Sequence, residues 1–203
     1  MRFLLSSLTS KKLSTRLFVG FTLFYVIFFV IVIISYLTLP DGFLRSKNDI
    51  LDFELATTFC PHLLQLLGYN LISAILILFF NCLSYQSTRL GHIPSGYFMI
   101  GIVFILNAIT LGTWSFTIGS AAPNLIGRLL RQFDLVHRSG FWEMSGLLLI
   151  TCSSCELAYR RKNKQQKVHL LTLLSANEKV MVLIGFGLML CGAIIESWSI
   201  LSK

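Results

Sequence analysis

Residues 17–39 read LFVGFTLFYVIFFVIVIISYLTL, a stretch without one Asp, Glu, Lys, Arg or His. At about 1.5 Å per residue a helix of this length covers roughly 35 Å, more than the hydrocarbon core of about 30 Å. In hydrocarbon every backbone N–H and C=O must be paired inside the segment or with a neighbouring strand, so an isolated apolar run of this kind crosses as a helix. Working outward, residues 63–85, 95–118, 140–159 and 180–201 are also long and apolar enough. Hydrophobic residues make up 55 % of the 203, against about 45–50 % in soluble domains. The sequence therefore predicts an all-α, polytopic transmembrane bundle with about five spans. Residues 1–16 form a basic arm and residues 17–203 a single helical domain. The apolar run of the first span exceeds the usual 7–15 residues of a signal peptide and no small-x-small cleavage site follows it before Pro40, so it is expected to stay on the mature protein.

Basic residues set the orientation. Arg2, Lys11, Lys12 and Arg16 precede the first span, Arg89 lies between the second and third, and Arg160, Arg161, Lys162, Lys164, Lys167 and Lys179 lie between the fourth and fifth, eleven of the 17 lysines and arginines. By the positive-inside rule these segments are cytoplasmic, with the N-terminus inside and the C-terminus outside. Much of the net charge of +8 is then used for topology and contact with anionic lipid, and nucleic-acid binding is not implied. Tyr36, Tyr85, Tyr97, Trp114, Trp142, Tyr159 and Trp198 fall near predicted helix ends, where aromatic belts form.

Two connections have pattern of their own. Phe3, Leu4, Leu8 and Leu13 alternate with serines and cations, which suits either a short helix on the inner membrane surface or a loose basic tail. After Pro123, Leu125, Ile126, Leu129, Leu130 and Phe133 recur with a helical period among Arg128, Arg131 and Asp134, so this outer segment lies on the surface or dips toward the helices.

Glu143 and Glu196 carry the functional question, because each sits inside an apolar span. Burying a charged side chain there costs from about 2.5 to well over 10 kcal/mol, so such a residue faces a partner or a wet cavity. Asn70, Ser73, Ala74, Ile77 and Asn81 share one face of the second span, Glu143, Gly146, Ile150 and Ser153 one of the fourth, and Gly185, Met189, Gly192 and Glu196 one of the fifth. The glycines permit close helix approach. Given the orientation, both glutamates lie about 5–8 Å from the outer boundary. With Asn70 somewhat deeper and Asn107 near the middle of the third span, an outward-facing polar cluster of four is predicted. Its bland counterpart is a set of interhelical hydrogen bonds that only hold the bundle, at about 0.6 kcal/mol each.

Three short elements carry a family resemblance. Asn107-Ala-Ile-Thr-Leu-Gly112 looks like an Asn-Gly-x-x-Leu-Gly element, Gly140-Phe-Trp-Glu143 like the end of a Pro-His-Gly-x-x-Glu motif, and Ala193-Ile-Ile-Glu196 is similar to a closing Ala-x-x-Glu helix. In this order, from about Asn70 onward, the chain resembles the stage II sporulation protein M family of integral membrane proteins. Ala108 stands where the family has glycine, and Arg138 and Ser139 where it has Pro-His, with His137 displaced upstream. The resemblance implies a non-enzymatic membrane component. Members gather peptidoglycan-degrading partners at the septal membrane of sporulating bacteria, and relatives in bacteriocin gene clusters accompany an ABC ATPase in peptide secretion or self-protection.

Enzymatic patterns are sparse. Cys152-Ser-Ser-Cys155 is a CxxC, but it falls toward the reducing side, and cysteine is a common small hydrophobe in such helices. His62, His92, His137 and His169 lack metal-ligand spacing, no rhomboid-type serine motif occurs, and no phosphate-binding loop is present. No cofactor is expected, and any ATP must be hydrolysed by another chain. Two roles remain. One is a permease-like subunit in a plasma-membrane complex, docking a cytoplasmic ATPase or anionic lipid through Arg160, Arg161 and Lys162, with other membrane subunits or further copies of itself as partners. The other is a scaffold that recruits cell-envelope proteins.

Overall fold

The computed structural model describes residues 6–44, 58–83, 85–88, 91–115, 123–135, 139–157, 160 and 170–201. Helix α1 spans Leu13–Thr38 and α2 spans Phe59–Leu83. A short antiparallel hairpin follows, β1 Tyr85–Thr88 and β2 Gly91–Pro94. Then come α3 Gly96–Gly112, α4 Leu125–Arg131, α5 Gly140–Ser154, α6 Leu170–Leu173 and α7 Ala176–Leu201. The predicted helical class holds, apart from the hairpin, which takes up Tyr85 and ends the second span early.

Among the described residues three helices are long and apolar enough to cross a membrane: Leu13–Thr38, Phe59–Cys82 and Ala176–Ser199. The third and fourth expected spans are shorter than the sequence suggested. α3 ends at Gly112 because the next residues break the helix: Thr113 donates its side-chain hydroxyl to the Ile109 carbonyl at 2.7 Å, and Trp114 takes a left-handed backbone with φ 52°. The Gly112 carbonyl accepts a hydrogen bond from Arg128. α5 gives way to a turn at residues 155–156. At about 1.5 Å per residue each covers roughly 22–26 Å, short of a full core.

The long helices pack around α5, which touches α1, α2, α3 and α7, and α1 and α7 start at the same end of the bundle, where Arg16 meets Glu178. Ten of its residues from Met144 to Ser154 are buried, including Leu148, Ile150, Thr151 and Ser153. Its contact with α7 is the closest in the bundle. A Cβ on Gly146 would lie 2.5 Å from the Gly185 carbonyl oxygen, and one on Gly185 would lie 2.7 Å from that of Gly146. Only residues without a side chain let the two backbones approach so closely. Against the other side of α5, Phe24 and Phe28 of α1 pack edge-on to Phe104 of α3 with ring centres 5.4 and 6.1 Å apart.

Outward faces are apolar: Phe18, Val26 and Val30 of α1, Ile72, Ile75 and Phe79 of α2, and Leu183 and Ile194 of α7 are exposed. Ser35, Asn81, Thr151 and Ser197 turn inward, as polar groups in helices solvated by lipid are expected to. The arm is not a loose tail where it is described. Leu8 belongs to the core, and its carbonyl accepts a hydrogen bond from the Tyr97 hydroxyl at 2.9 Å.

Candidate functional site

The predicted inward face of α2 is the one observed. Ala74, Ile77 and Asn81 are buried, while the neighbouring Ile72, Ile75 and Phe79 are exposed. Asn81 joins three elements: its Nδ2 donates to Ser154 Oγ at 2.8 Å and to the Thr151 carbonyl at 3.3 Å, and its Oδ1 accepts from the Gly96 N–H at 3.0 Å. Three turns earlier, Asn70 Nδ2 donates to Glu143 Oε1 at 2.6 Å, tying α2 to α5.

Ser139, the residue before α5, brings in the second glutamate. Its hydroxyl donates to Glu196 Oε2 of α7 and lies within hydrogen-bonding reach of Glu143 as well. Gly192 lets α7 approach here, for a Cβ on it would sit 3.0 Å from Trp142 Cβ and 3.3 Å from Glu143 Cγ. Three of the four predicted cluster residues, Asn70, Glu143 and Glu196, thus meet. Asn107 does not. It is exposed on the outside of α3 and donates to the Val103 carbonyl of its own helix at 2.9 Å. The buried line of α3 is Tyr97, Ile100, Phe104, Ala108 and Leu111, and position 107 lies about 100° around the helix from Ala108.

Sequence reasoning missed two contributors to this layer. Ser139 appeared only as a departure from the family pattern. His62 was considered only as a metal ligand; it is fully buried on α2, with Nδ1 3.0 Å from the hydroxyl of Ser197 beside Glu196. Among the described residues neither Glu143 nor Glu196 forms an ion pair, and the side-chain donors that reach them there, Asn70 and Ser139, are neutral.

The other end of the bundle reverses this arrangement. Arg16, fully buried in the first turns of α1, places Nη2 2.6 Å from Glu178 Oε1 and Nη1 3.0 Å from Glu156 Oε1. Arg160 completes a square, with Nη1 2.6 Å from Glu178 Oε2 and Nε 2.9 Å from Glu156 Oε2. It also donates to the Leu173 carbonyl at 2.9 Å. Burial would weaken the charged form of Arg160, but hydrogen bonds to Glu178 and Glu156 outweigh it and hold the guanidinium above its ordinary value. Arg160, one of the expected docking trio, is thus held by two carboxylates with part of its side chain still exposed. Arg161 and Lys162 lie outside the described residues.

No protein-family model, curated protein or solved structure matches this chain. Among the described residues no three His, Cys, Asp or Glu side chains gather to hold a metal ion. Cys152 and Cys155 are both buried free thiols, with Cys152 Sγ packed where a Cβ on Gly20 would come within 2.6 Å. The arrangement offers a pair of hydrogen-bonded carboxylates inside an apolar bundle, joining α2, α5 and α7.

Proposed function

We propose that the chain is a multi-pass subunit of a bacterial cell-membrane complex, permease-like in build, that works with a separate ABC ATPase in bacteriocin-type peptide export or self-immunity. The observation that supports it best is the Asn70–Glu143 bond of 2.6 Å with Glu196 alongside. Two intramembrane carboxylates that meet no cation among the described residues form the chemical complement of a basic or ammonium group in transit, and ionisable residues in membrane spans mark substrate and ion pathways. The resemblance to the stage II sporulation protein M family supports the same reading through its bacteriocin-cluster relatives. Scaffolding of envelope proteins rests on that resemblance alone.

In this reading all five apolar segments belong to the membrane domain, the N-terminus and residues 160–179 face the cytoplasm, and the partners are lipid, other membrane subunits or further copies, and the ATPase. Docking falls to Arg161 and Lys162, together with Lys11 and Lys12, which are exposed. Cysteines placed at Gln165 and Asn48 are expected to react with an impermeant maleimide from opposite sides, Asn48→Cys in intact cells and Gln165→Cys only after lysis.

The decisive experiment is Glu143→Gln and Glu196→Gln, with membrane abundance and thermal stability measured beside export or immunity. Glutamine keeps size and hydrogen bonding but removes the charge. Both variants are expected to accumulate normally and lose activity. Full activity in both would leave the carboxylates as structural residues and overturn the transport role.

A further inference from the structure

The segment between α3 and α5 has its polarity inside out for a loop in water. Ile126, Leu130, Phe133 and Leu135 are 67, 64, 52 and 40 % exposed, whereas Arg128 and Gln132 are buried. Arg128 donates to the Pro123 carbonyl at 2.9 Å, pairs with Asp41 at 2.8 Å and stacks over Tyr36. Gln132 reaches Met144 Sδ at 3.4 Å. Asp134 is half-buried and engaged. Several backbone groups are paired from within: Asn124 caps the Gly127 N–H at 2.9 Å, Phe133 N–H donates to Leu130, and the Leu135 carbonyl accepts from the Trp142 indole at 2.9 Å. In water an amphipathic helix buries its leucines and shows its arginines; this one does the reverse, as a lipid-exposed segment must.

Depth points the same way. Twenty residues of α1 separate Arg16 from Tyr36, about 30 Å, one hydrocarbon thickness. The buried charge square stands at one limit and the Arg128–Tyr36 stack at the other. Phe133 stacks on Phe29 with ring centres 5.5 Å apart, and Phe29 lies seven residues, about 10 Å, inside the Tyr36 limit. α5 starts low for the same reason: Gly140 sits beneath Gln132, where a Cβ would meet its Oε1 at 3.4 Å.

We infer that residues 125–135 form a re-entrant segment whose face of Ile126, Leu130, Phe133 and Leu135 is embedded in the acyl chains of one bilayer leaflet. The lipid bilayer is its partner, on a surface continuous with the exposed Val26 and Val30 of α1. Cations held by Tyr36 and Trp114, the latter 4.5 Å from Arg131, mark the headgroup level, where guanidinium and aromatic rings accumulate. The inference rests on α1 crossing the bilayer.

The test uses the full chain with Cys60→Ser and Cys191→Ser, since these two cysteines are exposed and Cys82, Cys152 and Cys155 are buried. Spin labels are placed through Ile126→Cys and Leu130→Cys, positions whose side chains touch little, with Val26→Cys and Lys11→Cys as references. In phosphatidylcholine–phosphatidylglycerol vesicles, collision rates with oxygen and with a water-soluble nickel chelate are compared. Oxygen is expected to exceed the chelate severalfold at 126, 130 and 26, and the ratio to invert at 11. Chelate-dominated labels at 126 and 130, with Val26→Cys still in lipid, would overturn the inference alone. If Val26→Cys were also chelate-dominated, the crossing of α1 would fall and the inference with it. Labels shielded from both reagents that broaden each other until diluted with lipid would assign the face to a second copy and overturn the lipid assignment.

Discussion

Two polar layers stand at different depths of one bundle, and they are built on opposite terms. At the Arg16 end, two arginines face two glutamates, and every charge has a counter-charge within 3.0 Å. At the Glu143 end, two glutamates share neutral donors, Asn70 and Ser139. A square of opposite charges satisfies itself and gains nothing from a ligand. A pair of like charges leaves a demand that a proton, a cation or a passing basic group can meet. The first layer is a fastening between α1, the end of α5 and the start of α7; the second is where chemistry has room to change.

The sharpest test of that contrast removes one partner from the square. Arg16→Ala leaves Glu178, 3 % exposed, without one of its two cations, and the expected loss is about 3–5 kcal/mol of stability, the range for breaking a buried pair. Thermal unfolding in detergent checks it, and Arg16→Met with Glu178→Leu should recover much of the loss. If Arg16→Ala unfolds like the parent, the fastening role fails. Next in size is Gly146→Val, between the two layers. Its side chain would meet the Gly185 carbonyl and Met189, and overpacking of this kind costs about 1–3 kcal/mol. The same unfolding assay should show the drop, together with faster proteolysis of the α5–α7 pair.

Smaller effects are expected in the second layer. Asn70→Ala removes a donor from a part-buried carboxylate and should cost about 1–2 kcal/mol. Asn107→Ala, bonded only to its own helix, should stay within about 0.5 kcal/mol. Equal effects of the two asparagine variants would break the distinction between the α2 and α3 polar residues. Glu143→Gln and Glu196→Gln should alter stability least relative to their effect on activity, because glutamine can still accept from Asn70 and Ser139.

Helical period made part of this legible. The inward face of α2 and the glycine-bearing stripes of α5 and α7 follow from spacing of three and four residues, and the structure packs them as spaced. The same rule, applied to Tyr97, Ile100, Phe104 and Ala108, would have turned Asn107 outward; depth alone had placed it in the cluster. The charge square had a weaker signal. Glu156 and Glu178 are acids stranded at helix ends among the basic residues between the last two spans, which hints at internal pairing. Arg16 and Glu178 nevertheless stand 162 residues apart, and counting cations for topology assigned Arg16 and Arg160 to the surface. The lengths of α3 and α5 were overestimated because apolar composition continues past their ends, while Trp114 and the Arg128 contact to Gly112 stop α3 through tertiary geometry.

By itself the sequence determined that apolar helices would form and which of their faces would turn inward, since hydrocarbon leaves an isolated apolar chain one way to pair its backbone and 3.6 residues per turn fixes the faces. Only the tertiary structure decided which polar groups meet, because that depends on the relative depth and rotation of helices far apart in the chain. An offset of one residue turns a side chain by about 100°, enough to separate Asn107 from the glutamates and to carry Arg16 from a presumed surface into a buried square of charge.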